Sequence, residues 1–238
     1  MGARSAAPSP YRPIASKRHF AIMLLIQLAL VAIGFWLQHR PGSDSVVPQH
    51  RNVVGLYLWV MALEWGLVAT VRGAVNAQGS RLSDVIGDGW TSWKEVVRDL
   101  AITLPFLLVW FGAARLLHRV LGPDSARSIN NLLPQTSVEI ILWIAVSISA
   151  GICEEIVFRG YFQKQLAAFT NSMTAAVLLQ GFIFGAGHSY QGLKQVFIIS
   201  LLGMLYGWFA AWRRSLRPNM MAHAWTDIWS GWLSGVLR

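Results

Sequence analysis

Long unbroken apolar runs dominate this chain, with neither the alternation of a half-buried strand nor a narrow amphipathic stripe. A helix hydrophobic on all sides is written for lipid or for a deep core. A membrane helix needs roughly 20 apolar residues. Seven segments approach that length: about 20–37, 53–71, 96–117, 138–158, 173–188, 196–212 and 219–237. Chain-breaking sequences separate several of them: Arg40-Pro41-Gly42-Ser43-Asp44, Gly87-Asp88-Gly89, Leu121-Gly122-Pro123-Asp124 and Leu216-Arg217-Pro218-Asn219. Trp36, Trp59, Trp90, Trp93, Trp110, Trp143, Trp212 and Trp232 fall mostly near segment ends, where an amphipathic indole suits the bilayer interface. The pattern predicts an all-α fold, a polytopic transmembrane bundle of about seven helices.

Composition agrees. Of 238 residues 54% are hydrophobic and 13% charged, against roughly 25% charged in a soluble domain. The net charge of +9 does not point to nucleic acid, because the basic residues flank apolar spans and are not interleaved with a solvated aromatic face. With seven spans, the N-terminal side collects Arg4, Arg12, Lys17, Arg18, Arg72, Arg81, Lys94, Arg98, Arg159, Lys164, Arg213, Arg214 and Arg217, the larger share of the 20 basic residues. The positive-inside rule then sets the N-terminus in the cytoplasm. The scarcity of lysine beside arginine suggests a bacterial inner membrane. Cys153 is the single cysteine, so an internal disulfide and a cysteine-rich metal site are excluded. The first span is long for a signal segment and no small-residue cleavage site follows it, so it reads as a retained helix. Gly2 lacks the hydroxyl residue that myristoylation prefers. The expected organisation is one membrane domain: a cytoplasmic segment at 1–19, helices over 20–137, and a chemistry-bearing core over 138–238.

Three polar groups interrupt the apolar spans. Ionisable residues at membrane depth are costly and usually functional. In the fourth span, Glu155 and Arg159 stand i, i+4 with the acid first, the favourable helical order. Glu154 is rotated away from that pair and lacks a local partner. In the fifth span, Phe184-Gly185-Ala186-Gly187-His188 follows Gly181, small residues that permit close helix approach. In the seventh, His223 and Asp227 share one helical face, where a carboxylate can fix an imidazole tautomer. Each group alone also fits an ordinary structural ion pair or an interfacial histidine. Together, a base, two imidazoles and a carboxylate suit activation of water against a carbonyl. Glu64 and Gln180 read as interhelical hydrogen-bonding residues. Ser147 and Ser149 have no Lys or His nearby in sequence, so serine-protease chemistry is unsupported, and no phosphate-binding glycine loop is present.

Glu154-Glu155-x-x-x-Arg159, Phe184-x-x-x-His188 and His223-x-x-x-Asp227, in that order, resemble the three-motif signature of the CAAX protease and bacteriocin-processing family (CPBP, or Abi). The Ras-converting CAAX endoprotease belongs to it. The stretch Leu82-Ser83-Asp84-Val85-Ile86-Gly87 is similar to that family's weaker upstream segment. The resemblance implies an intramembrane glutamate endopeptidase acting on a membrane-associated protein or peptide. In that scheme Glu154 and His188 activate water, His223 and Asp227 stabilise the oxyanion, and Glu155 and Arg159 support the site. Asp227 replaces the Asn of the prenyl-protein enzymes, leaving three roles open: a protonated donor, an orienter of His223, or a metal ligand. No cofactor is expected; the alternative is Zn²⁺ held by Glu154, His188, His223 and Asp227. Competing readings are a scaffold or bacteriocin-immunity protein on the same fold, and a proton-linked transporter, which visible repeats would favour.

Overall fold

The computed structural model describes residues 10–39, 53–87, 89–122 and 132–236, with side chains described as far as Gly231. Arg4, the breaker at 40–44, Asp88, the turn residues Pro123 and Asp124, and the Trp232 side chain lie outside the described residues. The elements are α1 (Lys17–His39), α2 (Val54–Asn76), a short α3 (Leu82–Ile86), α4 (Trp93–Leu121), α5 (Ser137–Glu154), a π-helical segment (Glu155–Phe162), α6 (Gln163–Thr170), α7 (Met173–Ala186), a 3-10 turn (Ser189–Gln191), α8 (Leu193–Arg213) and α9 (Arg217–Val236). No strand occurs among the described residues. All seven expected spans are helical. Five runs are long and apolar enough to cross a membrane: α1, α2, α4, the continuous Ser137–Thr170 run and α8. α7 is a shorter apolar helix of 14 residues, and α9, the expected seventh span, carries too many polar residues to stand among the five.

Local chemistry sets the boundaries. At the start of α5, Glu139 Oε2 accepts from the Thr136 and Gln135 backbone N–H groups while Thr136 Oγ1 accepts from Glu139 N, a capping box. Ser172 Oγ accepts from Ala175 N to begin α7. Asn171 and Arg214, both at φ 52°, end α6 and α8 in the left-handed conformation that stops a helix.

One departure from expectation matters. The fourth span does not end at Phe158. It runs 34 residues to Thr170, and from Glu155 its backbone switches to the i→i+5 bonding of a π-helix. Such segments are rare and often mark functional sites. All eight of its residues are buried. Ile156, Val157, Tyr161 and Phe162 pack with Met23, Val68, Val71, Val85 and Phe184 in the largest core cluster. Around it, α7 lies against α8 and α5 against α2 and α9. Outward-facing Leu25, Leu108 and Ile141 are 65%, 66% and 67% exposed, as a lipid-facing surface requires.

Candidate active site

Two hairpins set the depth of the site. Glu154 precedes Thr170 by 16 residues, and His188 follows Met173 by 15, so both stand at comparable height above the α6–α7 turn. Asn171 is the midpoint in sequence between Glu154 and His188. The same symmetry about the Arg214 turn sets Tyr206 of α8 against His223 of α9, with ring centroids 5.3 Å apart and nearly parallel. The extended fourth helix thus removes the mismatch in depth that a helix ending at Phe158 would create.

Glu155 is the hub. It is fully buried, and its Oε1 lies 3.0 Å from Arg159 Nη1 and accepts from His223 Nδ1 at 2.8 Å. Its Oε2 accepts from Asn219 Nδ2 at 3.1 Å. In a π-helix each residue turns the chain through a smaller angle than in an α-helix, so residues four apart stand more nearly above one another, aligning Glu155 with Arg159. The guanidinium also donates from Nη2 to Gly203 O at 3.3 Å and lies 4.3 Å and 5.1 Å from the ring centres of Phe184 and Tyr206. Cation–π contacts in such a desolvated place are worth about 2 kcal/mol.

Because the Glu155 carboxylate accepts, His223 Nδ1 carries hydrogen and Nε2 is turned outward. Nε2 stands 3.6 Å from Glu154 Oε2 and 3.7 Å from Asp227 Oδ2. The side chains of Glu154 and Asp227 are 23% and 35% exposed, whereas that of Glu155 is 0%. Of the two adjacent acids, Glu154 is therefore the one open to a reactant. Asp227 approaches Nε2, so the task of orienting the imidazole through Nδ1 falls to Glu155.

His188 lies beyond the end of α7. Its Nδ1 donates to Phe184 O at 3.0 Å, which leaves Nε2 free. Among the described residues no carboxylate comes within ion-pairing distance of its ring. The Phe184 ring touches both imidazoles, with centroids 5.0 Å from His188 and 5.8 Å from His223. Glu154, Glu155, Arg159, His223 and Asp227 are thus brought together, and His188 joins them at matching depth through Phe184. Among the described residues no three His, Cys, Asp or Glu side chains form a group that could hold a metal ion.

Asn219 was not singled out for chemistry in the sequence, yet it is fully buried and bonds both Glu155 and Tyr206 O, the latter at 2.8 Å. Its signal was the spacing Asn219-x-x-x-His223-x-x-x-Asp227, one helical face. Glu64 also reaches this neighbourhood, accepting from Ser149 Oγ at 2.8 Å one turn before Cys153. Gln180 Nε2 donates to Gly203 O at 2.8 Å, the interhelical role expected of it.

No curated protein and no solved structure matches the chain. A family model described as "Type II CAAX prenyl endopeptidase Rce1-like" matches residues 136–229, the stretch from the start of α5 to within α9 that holds every residue of this site. Over residues 136–229 the chain is thus similar to the CAAX protease family.

Proposed function

We propose that the protein is an intramembrane endopeptidase that hydrolyses a peptide bond of a membrane-associated protein or peptide. The observation that carries this reading is the orientation of His223. Glu155, held by Arg159 and Asn219, fixes Nδ1 and turns Nε2 toward Glu154 and Asp227. Glu154 takes a proton from water as the water oxygen attacks the carbonyl carbon. His188 Nε2, free because Nδ1 is engaged, accepts a hydrogen bond from the same water. His223, protonated between Glu155 and Asp227, donates Nε2–H to the developing oxyanion, and the flanking carboxylates stabilise its charge. Glu154 then returns its proton to the leaving amine. No step is routed through a metal. The same reading sets the protein in a bacterial inner membrane with its N-terminus in the cytoplasm.

The test is cleavage in reconstituted bilayers. Glu154→Gln retains the fold, binds a substrate without releasing product, and yields that substrate to mass spectrometry after membrane capture. Loss of a general base costs on the order of 10²–10⁴ in rate. A Glu154→Gln protein that cleaves as fast as the native one would sink the reading and favour a scaffold.

A further inference from the structure

The end of the bundle where α4, α8 and α9 meet carries a basic cluster that the site chemistry does not use. Lys94 and Arg98 are i, i+4 at the start of α4, Arg213 and Arg214 end α8, and Arg217 opens α9. Asp99, 1% exposed, is the anchor at its floor. Its Oδ1 accepts from Arg98 Nη2 and Arg213 Nη2, each at 3.2 Å, and from Arg98 Nε at 3.3 Å, and its Oδ2 accepts from Trp90 Nε1 at 3.0 Å. Arg217 lies over the Trp90 ring at 5.2 Å and Arg213 over Trp212 at 5.5 Å. Among the described residues, five cations therefore face two carboxylates, Asp99 and Glu95. Glu95 is itself engaged by the Thr91 backbone N–H at 2.8 Å.

Among the described residues the cluster holds more cations than carboxylates. Lys94 and Arg214 are exposed, Arg217 donates from Nε to Ser215 Oγ at 3.3 Å, and Arg213 Nε and Arg217 Nη1 are buried without a hydrogen-bond partner among the described residues. Its rim is aromatic, with Trp93, Trp212 and Trp90 being 71%, 67% and 43% exposed. Indoles on the ends of apolar spans sit at headgroup level, so the surplus guanidinium groups lie where a lipid phosphate lies. Arginine forks match phosphate oxygens in pairs, and basic clusters beside a membrane helix attract anionic lipid.

We propose that Lys94, Arg98, Arg213, Arg214 and Arg217, rimmed by Trp90, Trp93 and Trp212, form a binding site for the phosphate headgroup of an anionic phospholipid. The acyl chains extend along the exposed apolar side of α4, where Val97, Leu100 and Leu104 face outward at 50%, 52% and 60% exposure. The site stands at the turn that opens α9, one helical turn before Asn219.

The full-length protein in nanodiscs of phosphatidylcholine with a minor share of phosphatidylglycerol tests this, with native mass spectrometry counting the lipids retained. Phosphatidylglycerol should be held in preference to phosphatidylcholine. Lys94→Gln/Arg214→Gln/Arg217→Gln should weaken that preference by roughly fivefold per charge removed. Arg98 and Arg213 stay on Asp99, so the buried carboxylate keeps its partners. If the triple variant unfolds, Lys94→Gln/Arg214→Gln, with both residues exposed, carries the same comparison. A control triple from the same end of the bundle, Lys17→Gln/Arg18→Gln/Arg72→Gln, should leave the preference intact. Equal loss in both triples would reduce the effect to general surface charge and overturn the site. Displacement of the lipid by soluble glycerol phosphate at millimolar concentration would show a free-anion site and overturn the lipid assignment, as would equal retention of the two lipids by the native chain.

Discussion

Glu154 and Glu155 are adjacent acids with opposite surroundings, and the difference predicts opposite variants. Glu155 is enclosed by Arg159, His223 and Asn219. Glu155→Gln leaves a buried guanidinium uncompensated, which typically costs about 3–5 kcal/mol, so thermal unfolding in detergent should show a large loss of stability together with loss of activity. Glu154→Gln removes only the long 3.6 Å contact to His223 Nε2, so its unfolding temperature should stay within a few degrees of native while cleavage stops. A pair of variants with the reverse pattern would contradict the division of roles. Asn219→Asp sets a further carboxylate about 3 Å from Glu155. Cleavage assays and unfolding should both report damage, whereas a neutral outcome would remove Asn219 from the support of the site. The motif residues were legible in the sequence because charge in an apolar run is costly. Their pairing was not, since nothing in Glu-Glu-x-x-x-Arg says which acid meets His223.

At the scale of elements, small residues decide how closely helices approach. A Cβ on Gly185 would stand 2.6 Å from both Ser200 N and Val196 O, backbone atoms that cannot swing aside. Gly185→Ala should therefore part α7 from α8 and lower stability by about 1–3 kcal/mol. Gly66 in α2 has nothing within 4 Å of that position. Gly66→Ala should be neutral or stabilising by up to about 1 kcal/mol, and thermal unfolding of the two variants side by side checks the contrast. Gly151→Ala is the more informative change. Its Cβ would lie 2.7 Å from Ala224 N and 2.9 Å from Met220 O on α9, so cleavage should fall further than stability as His223 is displaced. The helices and their approximate ends were readable from apolar runs, caps and turn residues. The π winding was not, because no local signal in Glu155–Phe162 marks it, although the segment is buried on every side. At Gly160, for example, a Cβ would meet Val85 Cγ1 at 2.6 Å and Leu216 Cδ1 at 3.1 Å.

For the molecule as a whole, the alternation of spans sets one end of the bundle apart. Arg72, Arg81, Lys94, Arg98, Lys164, Arg213, Arg214 and Arg217 gather there. The links across it are Lys164 Nζ to Val85 O at 3.0 Å, Leu216 N to Ile86 O at 2.8 Å and Arg213 to Asp99. Arg159, counted among these in the charge tally, belongs instead to the core. The single cysteine, Cys153, is 1% exposed, so the native chain should not react with a membrane-impermeant maleimide. Gln78→Cys, at the basic end, and Leu193→Cys, 78% exposed at the other, should label from opposite sides of a sealed vesicle. Labelling from one side would refute the topology.

The sequence by itself determined that the chain is a helical membrane bundle, where its apolar runs lie and which polar residues intrude on them. Each of those follows from local composition and from the cost of charge in lipid. Only the tertiary structure decided that the fourth helix continues to Thr170, that Glu155 and not Asp227 orients His223, and that Asn219 completes the network. These depend on which helix faces meet and at what depth, and that is set by packing between segments far apart in the chain, Ala15 and Gln165 being 150 residues apart.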